Sequence, residues 1–173
     1  KLTLRVAAGP AEPVKYWDVP FKPHQPMVQA EMEQELVRHL REAVQSQMEA
    51  DVPLGAFLSG GVDSSAVVAM MAGLTGQPVN TCSIAFNDPA FDESEYADQV
   101  ARQYKTNHQR ETVDKDDYGL VDILAGLYDE PYADSSAIPT YRVCQLARKR
   151  VTVALSGDGG DENFAGYRRY RMA

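Results

Sequence analysis

The chain builds one device twice: an apolar run ends in Leu-Ser-Gly, small residues and an aspartate follow, and a helix-compatible segment begins. The first copy is Leu54-Gly55-Ala56-Phe57-Leu58 leading into Ser59-Gly60-Gly61-Val62-Asp63-Ser64-Ser65. The second is Val151-Thr152-Val153-Ala154-Leu155 leading into Ser156-Gly157-Asp158-Gly159-Gly160-Asp161-Glu162. Apolar runs this short suit buried strands better than helices, and the glycines mark tight turns. Strand, turn and helix in that order form the front of a βαβ unit. The fold this predicts is α/β: an open parallel sheet with helices on both faces.

The alternation continues between the copies. Residues 79–86 predict a buried strand, 93–105 a helix with Tyr96, Val100 and Tyr104 on one face, and 108–113 a weaker strand. Residues 64–74, 116–127 and 138–148 predict helices, the last with Pro139 in its first turn, where a missing N–H costs little. Ahead of the first strand, Met32, Leu36, Leu40, Val44 and Met48 recur every four residues among Glu, Gln and Arg. That pattern predicts an amphipathic helix over 27–50 whose stripe fills a core. Residues 1–26 hold Pro10, Pro13, Pro20, Pro23 and Pro26 and no sustained period, so they predict an extended connector. Its Tyr16, Trp17 and Phe21 suggest a segment lying along a surface.

Charge narrows the function. The 17 Lys and Arg against 25 Asp and Glu give a formal net charge of −8, which repels a phosphate backbone at long range and argues against nucleic-acid binding. Two distant cysteines, Cys82 and Cys144, lie in apolar stretches and predict buried free thiols. The scattered His24, His39 and His108 form no zinc-ligand spacing. No apolar run reaches membrane-spanning length, so the expectation is a cytoplasmic protein without a membrane partner.

The two turns carry the chemistry. Glycines at the end of the first strand let consecutive N–H groups converge on an anionic oxygen, and the next helix adds the positive end of its dipole. Ser59, Ser64 and Ser65 add hydroxyls. No lysine makes this a Walker A loop, and no G-x-G-x-x-G follows the strand. Asp63 inside a phosphate cradle would repel its ligand unless a cation lay between them, which points to Mg²⁺ and a polyphosphate. Glycine-rich turns are often only turns, and helix-start aspartates often only caps. Two such turns at the carboxyl ends of neighbouring parallel strands would instead bring Asp161 to the metal held by Asp63.

S-G-G-V-D-S-S resembles the pyrophosphate loop of the ATP-pyrophosphatases, the adenine nucleotide alpha-hydrolase-like superfamily. Leu155 to Tyr167, L-S-G-D-G-G-D-E-N-F-A-G-Y, is similar to a signature of glutamine-dependent asparagine synthetases. So are Asp129-Glu130-Pro131, 134–140 (D-S-S-A-I-P-T) and Lys15-Tyr16-Trp17-Asp18. The resemblance implies a synthetase domain that binds ATP, adenylates the side-chain carboxylate of aspartate and lets glutamine-derived ammonia displace AMP. Carried over by matched position, Leu58, Ile84, Ser156 and Gly157 contact the nucleotide. Ser59, Gly60, Gly61, Ser64 and Ser65 hold pyrophosphate, and Asp63 and Asp161 bind Mg²⁺. Asp158 stands where the family usually has the glutamate implicated in handling ammonia. Its shorter side chain leaves room for a related amidotransferase or β-lactam-synthetase-like ligase with another carboxylate acceptor. The resemblance further implies that residues 1–26 are a linker from an N-terminal glutaminase domain and 27–173 the N-terminal part of the synthetase domain. It places a catalytic lysine beyond Ala173, so the fragment alone is expected to be inactive. It allows a homodimer of the full-length protein.

Overall fold

The computed structural model describes residues 14–18, 26–88, 92–113 and 118–171. The chain divides into two units, 1–35 and 36–173. In the first, Lys15 pairs with Asp18, and Tyr16 and Trp17 are exposed. Phe21, His24 and all the named prolines of this segment except Pro26 lie outside the described residues.

The sheet of the second unit is all parallel, with strands β1 (Leu54–Phe57), β2 (Asn80–Phe86), β3 (Asn107–Val113) and β4 (Val153–Leu155) in the order β3-β2-β1-β4. Two helices, α2 (Val62–Leu74) and α3 (Ser94–Tyr104), carry the chain from β1 to β2 and from β2 to β3. It then passes through a 3-10 turn (Tyr118–Leu120), α4 (Val121–Leu127) and α5 (Ala137–Ala147) and returns to the other side of β1. The strand order therefore reverses between β1 and β4, and open α/β sheets bind ligands at such a reversal.

Side chains alternate across β1 and feed two cores. Ala56, followed by Leu58, packs with Val68 and Met71 of α2, Ala97 and Ala101 of α3, and Val44 of α1 (Gln29–Gln47). Phe57 faces the other way, toward Cys82, Val151, and Leu146 and Ala147 of α5. Helices thus cover both faces, as the alternating pattern requires. Burial of Leu58, Val68, Met71 and Leu146 is essentially complete, and such side chains contribute about 1.5–3 kcal/mol each.

Several expectations are corrected. The α1 stripe is core only at its C-terminal end: Val44 is buried, Leu40 and Met48 are half-buried, and Met32 and Leu36 are exposed. In α3 the buried residues are Ser94, Ala97 and Ala101; of the expected face, Val100 packs against the core and Tyr96 is 61% exposed. A Cβ on Gly60 would lie 2.8 Å from the Ala97 nitrogen and 2.8 Å from Tyr96 Cβ, so the first turn meets the start of α3 through a residue without a side chain. The strand at 151–155 shortens to Val153–Leu155; ahead of it Val151 is buried in the second core and the Thr152 N–H donates to the Pro53 carbonyl. In α5 the inward face is Val143, Leu146 and Ala147. Cys144 sits about 100° round the helix from Val143 and is exposed, contrary to the buried thiol expected there. Cys82 is buried, and burial, with the Cys144 thiol nearby, pushes its pKa up to about 11. Of the helix expected over 116–127, residues 116 and 117 fall outside the described residues, and the rest is the 3-10 turn and α4.

Beneath α3 the sheet carries a polar network. His108 Nδ1 shares a 2.9 Å hydrogen bond with Thr81 Oγ1, its in-register neighbour on β2, and Nε2 lies 3.2 Å from Ser83 Oγ. Hydroxyls can donate or accept, so a neutral imidazole is satisfied at both nitrogens. Asp98 of α3 lies 3.7 Å from Nε2 and accepts from Arg110 at 2.6 Å. Burial, helped by Arg110 and opposed by Asp98, holds the His108 pKa below its ordinary 6.5. The unfolded chain then binds the extra proton more readily, so stability contributed by neutral His108 is present above about pH 6.5 and lost as pH falls below it. Thermal melts between pH 7.5 and 5.5 are expected to show a falling Tm in the parent protein and a smaller fall in His108→Gln.

Candidate active site

Register sets the height of the two turns. Leu54, Gly55 and Ala56 pair with Val153, Ala154 and Leu155, so β1 and β4 end level and both turns leave the same rim. In the first turn Gly60 has φ +87°, a left-handed conformation that suits glycine. Ser59 and Ser64 close the loop: their hydroxyls lie 2.9 Å apart, the Ser59 N–H donates to Ser64 Oγ, and the Gly61 N–H donates to Ser59 Oγ. Gly61 precedes α2 without a side-chain cap, which leaves the N–H groups of Val62, Asp63 and Ser64 without intrahelical acceptors.

The second turn fits against this helix start. A Cβ on Gly157 would lie 2.6 Å from the Ser64 nitrogen, and one on Gly160 would lie 2.5 Å from Asp63 Oδ2. Gly157 is therefore needed for the backbones of the two turns to touch, and Gly160 leaves room for the Asp63 carboxylate. Farther along, the space beside Gly166 is taken by the Asp161 carboxylate, and the Gly166 N–H donates to the Asp161 carbonyl at 3.0 Å. Tyr167 donates to Glu162, which lowers the Glu162 pKa and raises that of the phenol, and Arg169 stacks 4.3 Å over the Tyr167 ring. Ser156 Oγ donates to Asp158 Oδ2 at 2.9 Å.

These pieces enclose a cavity of about 690 Å³ whose wall includes Ser59, Gly61, Asp63, Ser64, Asp158 and Asp161, together with Ser156 and Gly157. A neighbouring cavity of about 260 Å³ is lined by Leu58, Cys82, Ile84 and Phe86. The two meet at Phe57, Ser59, Thr140 and Val143, which line both. One compartment is polar and acidic, the other apolar, and the larger falls in the range of small-molecule sites, roughly 300–1,000 Å³. Behind the second turn lies an apolar cavity of about 450 Å³ against Leu40, Val67, Met70 and Phe164, so Ser156 to Asp158 form a partition.

Of the residues singled out in the sequence, Gly60 and Ser65 do not line the cleft. Gly60 packs against the start of α3, and Ser65 Oγ is buried without a hydrogen-bond partner among the described residues. The other nine candidates and Asp158 line one or both compartments. Sequence reasoning missed Phe57 and Val143 and gave Thr140 no role; the i, i+3 spacing of Thr140 and Val143 on a helix following the D-S-S turn was the available signal.

No described group of three or more His, Cys, Asp or Glu side chains could hold a metal ion. Asp63 and Asp161 nevertheless face one cavity, and no described residue hydrogen-bonds or ion-pairs with either carboxylate. Such a donor set fits Mg²⁺, which is commonly held by one or two carboxylates with phosphate and water completing its shell.

The asparagine synthase family profile matches residues 35–173. The chain belongs to the asparagine synthase family. It is 44% identical over 155 residues to a Methanocaldococcus jannaschii protein provisionally named glutamine-hydrolyzing asparagine synthetase 2, covering 88% of this chain and 30% of that one. It is 38% identical over 161 residues to glutamine-hydrolyzing asparagine synthetase 1 of Bacillus subtilis, covering 90% of this chain and 24% of the relative. The chain thus spans less than a third of either relative's length. Among solved structures, an NH3-dependent NAD synthetase from Campylobacter jejuni superposes with a TM-score of 0.50 at 14% identity, covering 78% of this chain and 60% of that one, a likeness of fold. No described helix is long and apolar enough to cross a membrane.

The two glycines are expected to behave differently when given a methyl group. In Gly157→Ala the methyl meets backbone, so the turns must part, at a cost of about 1–3 kcal/mol and a lower Tm. In Gly160→Ala it meets only the end of the Asp63 side chain, which can swing aside, so Tm stays near the parent value while Asp63 leaves its place. Thermal melts of the two variants check the contrast.

Proposed function

We propose that the full-length protein is an ATP-dependent amide-forming ligase that adenylates the side-chain carboxylate of aspartate. The reading is carried by one observation: two unpaired carboxylates, Asp63 and Asp161, share a cavity with the unspent N–H groups that start α2. Leu58 and Ile84 hold the adenine base in the apolar compartment, with Ser156 and Gly157 beside the nucleotide. Ser59, Gly61 and Ser64, with Gly60 and Ser65 supporting the turn, bind the departing pyrophosphate. Mg²⁺, held by Asp63 and Asp161, supplies charge neutralisation to the polyphosphate.

A carboxylate oxygen of the substrate attacks the α-phosphorus, and the bond to the bridging oxygen breaks with its electron pair leaving on pyrophosphate. Ammonia from glutamine then attacks the acyl carbon and AMP departs. Asp158 accepts a proton from the attacking nitrogen, its carboxylate steadied by Ser156. Residues 1–26 serve as the connector from a glutaminase domain, 27–173 as the front of the synthetase domain, and the protein acts in the cytoplasm.

A second reading keeps the adenylation and changes the acceptor. Asp158, one methylene shorter than glutamate, favours an amidotransferase or β-lactam-synthetase-like ligase acting on another carboxylate. Labelled aspartate with ATP, Mg²⁺ and glutamine separates the two, since only the first yields labelled asparagine. In the full-length enzyme, Asp63→Asn is expected to lower ATP-dependent pyrophosphate release by at least about 100-fold with Tm nearly unchanged. Pyrophosphate release at the parent rate would rule out Asp63 as a metal ligand.

A further inference from the structure

We propose that Thr140 contacts the bound nucleotide directly, its hydroxyl serving the ribose or α-phosphate where the base and phosphate compartments meet. The proposal rests on the ATP-ligase reading above and assigns it a residue from a different part of the chain. Four residues line both compartments: Phe57 and Ser59 at the end of β1, and Thr140 and Val143 one turn apart on α5. A nucleotide with its base beside Ile84 and its phosphates beside Asp63 must pass between these two walls.

Only two of the four carry a polar side chain. Ser59 Oγ is already engaged, sharing a hydrogen bond with Ser64 Oγ and accepting the Gly61 N–H. The Thr140 N–H donates to the Ser136 carbonyl at 2.9 Å, but no described residue hydrogen-bonds to its hydroxyl, and the residue is exposed. The element that presents it is fixed. Leu146 and Ala147 anchor α5 in the second core, and Asp134 Oδ1 accepts the Ser136 N–H at 2.8 Å just ahead of the helix, which lowers the Asp134 pKa. A rigid helix thus offers an uncommitted hydroxyl at the junction, opposite a serine that is committed. Val143, half-buried beside it, sets the width of the passage.

The test measures Mg·ATP affinity by calorimetry, and KM for ATP in pyrophosphate release, in the full-length enzyme. Thr140→Val keeps the shape and removes the hydroxyl. It is expected to weaken ATP binding and raise KM for ATP about ten-fold or more, the value of a hydrogen bond to a charged or polar ligand group. KM for the carboxylate substrate is expected to move far less, and Tm hardly at all, because the side chain is exposed. Thr140→Ala is expected to lose affinity like Thr140→Val, and Thr140→Ser to recover most of it. ATP affinity in Thr140→Val and Thr140→Ala equal to the parent's overturns the proposal and leaves the ligase reading standing. A Thr140→Ser as weak as Thr140→Val also overturns it, since the methyl would then be what matters. A parent enzyme that binds no Mg·ATP overturns both.

Discussion

The site depends on the steric contact between the second glycine turn and the first turn of α2. Gly157 lies where any Cβ would strike the Ser64 nitrogen, and Gly160 where it would strike the Asp63 carboxylate. Neither contact is a hydrogen bond; both follow from the absence of side chains. Parallel pairing of β1 with β4 brings the two turns level, and the missing Cβ atoms let them close.

Closing the turns creates an electrostatic problem that the fold leaves unsolved. Asp63, Asp158 and Asp161 line one cavity of a chain that already carries a formal charge of −8. Asp158 has Ser156, but Asp63 and Asp161 have no described hydrogen-bond donor or ion-pair partner. Solvent can hydrate such carboxylates in an open cleft, so their cost to stability is small, while their mutual repulsion is relieved only by a cation. An anion arriving alone would raise that repulsion. On the proposed reading, a polyphosphate would therefore enter together with its metal and not alone.

The sheet and the two turns were legible in the sequence because the signals were local. Leu-Ser-Gly at the end of two apolar runs located both turns, and alternation of strand and helix located the sheet. What was not legible depended on distance. The four-residue stripe from Met32 to Met48 is a sound helix signal, yet only its C-terminal end meets a core, and no periodicity says where a partner surface stops. The helix of α3 was legible from its period, but the burial of Ser94, Ala97 and Ala101 beside the Tyr96, Val100 and Tyr104 face was not. Cys144 looked buried by its apolar neighbours, but a helix turns 100° per residue, and one step from Val143 reaches solvent. Thr140 gained its place only when α5 folded back over β1 and β2.

The hydroxyls of the first turn bear on how tightly the site can hold an anion. Ser59 and Ser64 already bond to each other and to the loop's own N–H groups, so a phosphate that takes up either hydroxyl exchanges one hydrogen bond for another. An exchanged bond contributes only its difference in strength, which is modest even for a charged acceptor. The N–H groups of Val62, Asp63 and Ser64 are in another position, since the helix offers them no acceptor and the nearby glycines keep side chains away from them. Bonds formed there break no intrahelical hydrogen bond. On the proposed ligase reading, the backbone of α2, more than the serines that mark the motif, would supply the cleft's attraction for phosphate, and the serines would chiefly keep that backbone in position.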